Sequence, residues 1–406
     1  MIINADLHIH SHFSKYRQPR LDFTTLAANA RLKGLDVVST GDCLHPYWLK
    51  EISKLHSVDG GIFYHQNIIF ILSTEIQTND NVHHLLYFPD LTSVHDLRSE
   101  LLPRSKDIDT DGKPSVDCDS ETIAGYAHDV NALIGPAHIF DATSGLYAHY
   151  PSLKRCYGIY VSLINFAELG LGGNSQHADT IKELHRLTYL TSSDTHNSHP
   201  IRLGREFTRF IVKKPSFACF RNALIRKDEN YPILNIGIPP EEGKYFESAC
   251  SRCHTRYTIE DADMCHWRCR CGSFIKKGVR ETIKENATFS ESQHPIHRPL
   301  YLSFLPLHEI ISKALHQQNP FNTTVMNYWH ELIFTFGNEI RVLLDTPIED
   351  IAKITLPSIT EAINAFRQAN IQFNPGGGGL YGSIMVPWEE QELLVSLKTL
   401  ELCPQF

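Results

Sequence analysis

The sequence predicts an α/β fold with a largely parallel sheet, open or barrel-like, followed by a cysteine-rich module and a mostly helical domain. Short apolar strands alternate with helix-like stretches from the N-terminus to about Asn235, which is typical of strand–helix–strand units. Closely spaced cysteines follow, and helical periodicity returns beyond Arg298. Because 406 residues exceed one ordinary core, we expect three domains, over residues 1–235, 244–285 and 296–406.

The composition excludes a membrane protein, and the overall charge does not favour binding to nucleic acid. Hydrophobic residues make up 42% of the chain and charged residues 21%, which is ordinary for a globular protein. No window approaches the roughly 18 apolar residues that a membrane helix needs. We therefore expect a cytoplasmic protein without membrane association. The net charge of −8 means that a nucleic-acid partner would need a local basic patch.

The N-terminal part can be divided into elements by its apolar pattern. A helix is predicted over Asp22–Lys33, and it ends at Gly34, a typical helix C-cap. Strands are predicted over Asp36–Thr40, Ile68–Ile76, Val82–Phe88, Leu133–Ile139, Gly158–Ile164 and Leu187–Ser193. In α/β folds the chemistry collects at the carboxyl ends of such strands.

The first strand carries the residues around which the chain is organised. An apolar start runs into Asp6-Leu7-His8-Ile9-His10. Side chains alternate along a strand, so His8 and His10 point to the same face. Two imidazoles on one face of a buried strand pack poorly but make a good metal platform.

Metal-ligand residues also stand at the ends of the later strands. A single strand histidine is more often a core residue, but five sites at successive strand ends are difficult to explain in that way. His83 and His84 are adjacent and face opposite sides of a strand, so only one should be a ligand, and we choose His84. The predicted ligands are His8, His10, Asp42, His45, Glu75, His84, His138, Asp194 and His196, with His8, His10, Glu75 and Asp194 as the catalytic core.

These motifs resemble those of the polymerase and histidinol phosphatase (PHP) domain. The resemblance rests on His8-x-His10, on the Thr-Gly-Asp that ends at Asp42, on the glutamate of Thr-Glu-Ile, and on the Ser-Asp-x-His that ends at His196. It implies a distorted (β/α)7 barrel with two or three divalent metals, zinc, manganese or magnesium. A carboxylate such as Glu75 can bridge two metals, and a metal-bound hydroxide would attack phosphorus.

Longer stretches resemble one branch of that group, the endonuclease Q family of DNA-repair nucleases. The likeness covers nearly the whole chain, including Asp42–Pro46, Gly135–His138 and Arg202–Glu206. It implies a nick on the 5′ side of deoxyuridine, deoxyinosine, deoxyxanthosine or an abasic site, leaving a 3′-hydroxyl and a 5′-phosphate. Arg202 and Arg205 are candidate phosphate clamps, since guanidinium matches phosphate bidentately.

The cysteines predict a structural zinc site. Cys250-x-x-Cys253 and Cys269-x-Cys271 are two knuckles of a zinc ribbon. The second knuckle is one residue shorter than the usual form, and this keeps Cys265, His254 and His266 open as substitutes. We assign Cys250, Cys253, Cys269 and Cys271 as the ligands. The module is locally basic, so it is a candidate contact to the DNA backbone.

Two irregular stretches receive different interpretations. The polar segment Ser105–Ser120 is predicted to be a solvated surface loop. The glycine run that begins at Gly376 is expensive to order and suits a close approach to a phosphate or a base, although a flexible turn is the alternative. The candidate DNA contacts are Arg202, Arg205, Lys276, Lys277, Gly377, Gly378 and Tyr381.

Two other functions remain open at this point. A small-molecule phosphatase of the histidinol-phosphate type would need the same metal ligands, but it needs neither the cysteine module nor the C-terminal domain. A non-catalytic DNA-binding scaffold would not need the complete ligand set. A sliding clamp is a further partner that the sequence leaves open. No terminal segment is a clear clamp-binding peptide, so the sequence does not indicate such a partner.

Overall fold

The computed structural model describes residues 1–14, 21–196, 199 and 201–385. It divides the chain into two compact units. Unit 1 comprises Met1–Pro240 and Lys277–Leu302, and unit 2 comprises Glu241–Lys276 and the described residues from Ser303 onward. Residues 277–285, which were expected with the cysteine module, therefore belong to unit 1. No helix in the described ranges is long and apolar enough to cross a membrane.

The strands and helices are short and follow one another closely. The strands are β1 (Ile2–Asp6), β2 (Val37–Ser39), β3 (His56–Asp59), β4 (Ile62–His65), β5 (Ile68–Ile71), β6 (Ser73–Gln77), β7 (His83–Tyr87), β8 (Leu133–Pro136), β9 (Phe166–Glu168), β10 (Thr188–Leu190), β11 (Phe207–Ile211), β12 (Tyr231–Gly237), β13 (Ala249–Cys250), β14 (Ile275–Lys276), β15 (Leu300–Ser303), β16 (Gln372–Asn374) and β17 (Ser383–Met385). The helices are α1 (Phe23–Lys33), α2 (Pro46–Ile52), α3 (Leu91–Leu101), α4 (Ser120–Asp129), α5 (Leu146–His149), α6 (Leu153–Tyr157), α7 (Ser175–Ala178), α8 (Phe217–Ile225), α9 (Ile259–Met264), α10 (Val279–Asn286), α11 (Leu307–Ala314), α12 (Thr323–Phe336), α13 (Ile348–Ile351) and α14 (Pro357–Arg367).

Seven strand positions close into a distorted barrel in unit 1. Strand β1 pairs with β2, β2 with β5, and β5 continues through Leu72 into β6. Strands β6, β7 and β8 then pair in order, and Ile139 N donates to Glu168 O at 2.9 Å between β8 and β9. Strand β9 pairs with β10, and His10 N donates to Thr195 O at 2.9 Å, which closes the ring. The predicted α/β barrel class is confirmed.

The sheet is more mixed than the predicted largely parallel one. Strand β7 runs antiparallel to both β6 and β8, so its first residues lie at the end where β6 finishes. The strand predicted over Gly158–Ile164 is wrong. Gly158–Leu163 form a 3-10 helix with no fully buried residue and with Ile159 79% exposed, and the buried strand is β9.

The barrel core and helix α1 follow the sequence pattern closely. Leu7, Val37, Leu85 and Phe166 are buried together in one apolar cluster, and each such side chain contributes roughly 1.5–3 kcal/mol by leaving water. Helix α1 is capped by the Asp22 carboxylate, which accepts a hydrogen bond from Thr25 N at 2.7 Å. It ends at a glycine with left-handed backbone, as predicted.

Helices dominate the C-terminal part of unit 2. Three of them, α11, α12 and α14, lie beyond Arg298, where the sequence showed helical periodicity. Trp329 is fully buried and its Nε1 donates to Oε2 of Glu339 at 2.7 Å, while Oε1 of the same carboxylate accepts from Leu307 N at 3.1 Å. One buried carboxylate thus joins two helices, and the mostly helical prediction is confirmed.

Glu206 should make the stability of unit 1 depend on pH. Burial raises the pKa of its carboxyl group to about 8, whereas the unfolded chain titrates near 4.5. The native state therefore holds a proton that the unfolded state releases, so stability falls as the pH rises between these values. We expect Glu206→Gln to flatten the fall of the melting temperature between pH 5 and pH 8, by an amount equivalent to about 3–4 kcal/mol.

The exposed Glu229→Gln is the control, and it should leave the pH profile of the melting temperature unchanged. Identical profiles for Glu206→Gln and the unaltered protein would contradict the assignment of a protonated carboxyl group at position 206.

Candidate active site

The two N-terminal histidines meet at one end of the barrel. His8 and His10 follow β1 and are 2% and 1% exposed. Their Nε2 atoms lie 3.2 Å apart, so both rings present the same nitrogen to one point. The expectation that the two side chains share a face is thereby met.

Glu75 on β6 lies between two groups of histidines. Its Oε2 atom is 3.2 Å from His10 Nε2 and 3.7 Å from His8 Nε2. Its Oε1 atom is 2.8 Å from His83 Nδ1 and 3.0 Å from His138 Nε2. One buried carboxylate therefore faces two imidazole pairs, one with each oxygen.

Asp194 and His196 complete a third group around His10. The Oδ1 atom of Asp194 is 3.2 Å from His10 Nε2. The ring of His196 stacks on that of His10 with 4.1 Å between centroids. Three overlapping groups of ligand atoms result: His8, His10 and Glu75; His10, Asp194 and His196; Glu75, His83 and His138.

The ionisation of these groups follows from their neighbours. Burial by itself would raise the pKa of Glu75, but His83, Lys113 and the other imidazoles hold it well below its usual range. Burial likewise opposes charge on His8, yet Glu168 and Asp194 raise the pKa of that imidazole. The cluster thus keeps its carboxylates ionised, which is the form that binds metals.

The choice of His84 over His83 is wrong, and the strand register gives the reason. In the pairing of β6 with β7, Gln77 lies opposite His83 and Ile76 lies opposite His84. Paired residues share a face, so His83 lies on the face of Glu75 and His84 on the opposite face. The ring of His84 instead contacts the hydroxyl of Tyr157, with 2.9 Å between Nδ1 and Oη.

Asp42 and His45 lie beside the three groups rather than within them. Asp42 Oδ1 is 2.9 Å from His10 Nδ1, and its Oδ2 accepts from Ser11 N at 2.6 Å. This carboxylate therefore orients His10. His45 N donates to Asp42 O at 2.9 Å, but the ring of His45 stacks on Phe13 with 4.0 Å between centroids and lies outside the three ligand groups.

Glu168 is a site residue that the sequence analysis missed. Its carboxylate lies 3.0 Å from His8 Nδ1 and accepts from His138 N at 2.9 Å. A carboxylate behind a ligating imidazole fixes the tautomer and the ring orientation. The sequence offered one indication, since Glu168 stands at the end of a strand like the other candidate ligands. It was missed because that strand was predicted over Gly158–Ile164 rather than over Phe166–Glu168.

The segment Ser105–Ser120 is not the purely solvated loop that its composition indicated. Lys113 Nζ lies 3.4 Å from Oε2 of Glu75, and the side chain is only 22% exposed. Burial would lower the pKa of Lys113, but Glu75 and Asp194 raise it. Lys113 also lines a cleft of about 300 Å³ beside the histidines, together with Thr143, Ser144 and residues 170–172.

The ligand atoms suit divalent metals. In the described ranges, no hydrogen bond of normal geometry reaches the buried atoms Glu75 Oε2 and Asp194 Oδ1. Their nearest partners are charged groups instead: His10 Nε2 lies 3.2 Å from each of them, and Lys113 Nζ lies 3.4 Å from Glu75 Oε2. Imidazole nitrogens and carboxylate oxygens converge here, and this donor set suits zinc and manganese. The residues therefore fit metals held on both sides of Glu75.

The four assigned cysteines come together in unit 2. Their sulfur atoms all lie within 4.8 Å of one another. Hydrogen bonds, first from Thr255, lower the pKa of Cys253 to about 6, which favours the thiolate that binds metal. Cys265 lies apart, with its thiol donating to Ala262 O at 3.4 Å. The short second knuckle is thus compatible with a four-cysteine site.

The glycine run approaches the backbone of its own unit rather than a ligand. A Cβ atom at Gly377 would lie 2.7 Å from Glu247 O, and one at Gly378 only 2.3 Å from Cys250 O. Both glycines are buried, which contradicts their prediction as DNA contacts. Close packing against the cysteine module explains why side chains are excluded there.

Aromatic and basic side chains form an exposed patch next to this run. Tyr381 is 70% exposed, and Lys244 Nζ lies 5.9 Å from its ring centroid. Lys276 and Lys244 both lie over the ring of Tyr245, at 4.8 and 5.3 Å. We call Lys244, Tyr245, Lys276 and Tyr381 the aromatic-basic patch.

The other predicted DNA contacts are partly engaged within unit 1. Arg205 Nε donates to Ser193 O at 2.9 Å, next to Asp194, so it supports the site from behind. Lys277 pairs with Glu285. Arg202 lies in a turn in which its backbone N–H donates to His199 O at 3.1 Å.

Solved structures of known proteins share this fold. The crystal structure of the lesion-specific endonuclease PfuEndoQ from Pyrococcus furiosus matches with a TM-score of 0.92 and 43% identity, covering 97% of each chain. An endonuclease Q complex with a 27-mer duplex that carries an abasic lesion at the active site matches with a TM-score of 0.89 and 43% identity, covering 96% of this chain and 98% of that one.

Sequence comparisons find further relatives. Residues 306–370 match the family described as the MJ0043 C-terminal domain. The uncharacterized protein MJ0043 of Methanocaldococcus jannaschii is 37% identical over 67% of this chain but only 34% of its own length, so this chain spans about a third of that relative.

Fold and site together define a barrel protein with candidate metal-binding groups at its strand ends. With 43% identity over 97% of both chains, the chain belongs to the endonuclease Q family.

The two adjacent histidines should differ in their effect on metal binding. We expect His83→Gln to lower metal content or affinity at least tenfold, because His83 belongs to a ligand group. His84→Gln should lower the melting temperature but keep the metal content. Elemental analysis and thermal unfolding measure both quantities, and metal loss in His84→Gln alone would contradict the register argument.

The cysteine assignment can be tested apart from the barrel. In cobalt-loaded protein, Cys271→Ser should reduce the thiolate-to-cobalt absorption, because cysteine thiolates are direct ligands. Cys265→Ser is the matched control and should leave the absorption unchanged. The reverse pattern would show that Cys265 replaces Cys271 as the fourth ligand.

Proposed function

We propose that this protein is a metal-dependent DNA-repair endonuclease that nicks the phosphodiester on the 5′ side of deaminated bases and abasic sites. The observation that carries the proposal is the buried Glu75 carboxylate, which faces imidazole pairs with both oxygens. The lesion-specific relatives support the choice of substrate. Deoxyuridine, deoxyinosine and deoxyxanthosine are the proposed deaminated lesions.

Two or three divalent metals would be held by the three ligand groups, and one structural zinc by the cysteines. Bound divalent metals supply a hydroxide nucleophile near neutral pH and offset charge on phosphate oxygens. Asp42 and Glu168 orient His10 and His8 through their Nδ1 atoms, which directs both Nε2 atoms at the reaction centre. In the reaction, the water oxygen bonds to phosphorus, the bond to the 3′ oxygen breaks, and that oxygen takes up a proton.

Lesion choice requires a pocket that reads an extruded nucleotide, because metals interact only with phosphate. The cleft of about 300 Å³ lies directly beside His83, His138 and Asp194. Residues 170–172, Thr143 and Ser144 line it, and the hydroxyls of Thr143 and Ser144 donate to Asp141 Oδ1 at 2.7 and 2.9 Å. Backbone N–H groups of residues 170–172 would donate to the carbonyl oxygen that deamination creates, and they would be mismatched against the original amine, which is itself a donor.

The aromatic-basic patch of unit 2 is a further proposed contact to DNA. Exposed aromatic rings stack on bases and lysines neutralise phosphates, and each stacked base is worth about 1–3 kcal/mol. Arg202 is a further phosphate contact in this proposal. A cytoplasmic location is also part of the proposal. The ordinary content of charged residues and the cluster of reduced cysteines favour it, because thiols stay reduced in the cytoplasm.

The nicking assay tests the function. End-labelled duplex DNA with one deoxyuridine, deoxyinosine or abasic site should be cut 5′ of the lesion in manganese, magnesium or zinc. Glu75→Gln should lower the rate by about 10²–10³-fold, because the carboxylate that joins the ligand groups is neutralised. The exposed Glu100→Gln should nick like the unaltered protein.

Hydrolysis of a chromogenic phosphate monoester without any nicking would replace this proposal with a small-molecule phosphatase. Binding of lesion DNA without either activity would replace it with a non-catalytic scaffold.

A further inference from the structure

Lys113 reaches the ligand cluster from a loop rather than from a barrel strand. Its Nζ lies 3.4 Å from Oε2 of Glu75, and it lines the same cleft as His83 and Asp194. A protonated ammonium has three donors and no acceptor, so it does not ligate metal. Its place among the ligands requires another role.

The loop fixes Lys113 from both sides. Gly112 N donates to Phe13 O at 3.0 Å, and Gln77 N donates to Pro114 O at 3.0 Å. A Cβ atom at Gly112 would lie 2.2 Å from Oδ2 of Asp42, so a larger residue does not fit. The backbone around Lys113 is therefore held against segments that carry the site, and the position of the ammonium is built into the fold.

We propose that Lys113 is a further catalytic residue that binds a non-bridging oxygen of the scissile phosphodiester, an inference that rests on the proposed nuclease function. Once Glu75 is engaged as a ligand, its carboxylate no longer needs the ammonium. Lys113 then pairs with the phosphate that enters the cleft. The lysine ammonium acts as a compact point charge and is a common partner of phosphate. A fixed cation in a largely buried site stabilises charge on the phosphoryl oxygens during displacement.

Kinetics of three variants test the proposal. We expect Lys113→Gln to lower kcat for nicking by about 10²-fold, with KM within about threefold, and with metal content and melting temperature unchanged. Lys113→Arg keeps the charge and should recover most of the loss. Lys106→Gln removes an exposed lysine from the same loop and should have no effect.

A modified substrate distinguishes phosphate binding from a purely structural role of Lys113, because only phosphate binding makes the penalty of Lys113→Gln depend on the linkage. A methylphosphonate at the scissile linkage replaces one charged oxygen with a neutral methyl group. In the stereoisomer that removes the oxygen bound by Lys113, the penalty of Lys113→Gln should fall to less than about threefold, because the paired charge is already lost.

Two results would overturn the inference. Tighter metal binding by Lys113→Gln with unchanged kcat at saturating metal would show that Lys113 only neutralises Glu75. Equal penalties on natural and modified linkages would show that it acts elsewhere. Absence of nicking by the unaltered protein on every lesion would instead reject the proposed function itself, so the two failures are distinguishable.

Discussion

The site depends on one buried negative charge, the carboxylate of Glu75. A carboxylate that is 1% exposed is costly unless it is paired, because water no longer solvates it. Here four imidazoles and one ammonium surround its two oxygens. The barrel must therefore bring β1, β6, β7 and β8 to one point before this charge becomes tolerable. The same convergence provides ligand atoms in the number and chemistry that divalent metals require.

The antiparallel strand β7 shows what the sequence could and could not predict. Ligand types at successive strand ends were readable, because the apolar pattern located the strands and histidines at such ends are unusual. The register between β6 and β7 was not readable, since it depends on tertiary pairing, and register decides which of His83 and His84 faces Glu75. Glu168 was missed for a related reason, because its strand lies after the segment Gly158–Ile164 that resembled a strand.

Loops were harder to interpret than strands. The aspartate-rich composition of Ser105–Ser120 indicates solvation, and only the folded chain shows that Lys113 turns inward. The glycine run was correctly associated with a close approach, but its partner is the backbone of the cysteine module. In both cases the deciding contacts join residues far apart in the chain, which local sequence patterns do not encode.

The two units carry different kinds of candidate metal site, and the amino-acid types differ accordingly. Unit 1 holds the ligand groups that suit hydrolysis of a phosphodiester, and unit 2 holds the thiolate cluster with the aromatic-basic patch. A small cysteine module gains much of its folding free energy from metal. The Cys250 carbonyl packs against Gly378, three residues before Tyr381, so we expect the thiolate cluster to help shape the proposed DNA surface.

Anomalous diffraction from crystals grown with manganese or zinc would test the central claim most directly. We expect metal peaks on both sides of the Glu75 carboxylate, one near His8 and His10 and the other near His83 and His138, with His84 outside both. Peaks that leave Glu75 without a metal contact, or a metal bound by His84, would contradict the account.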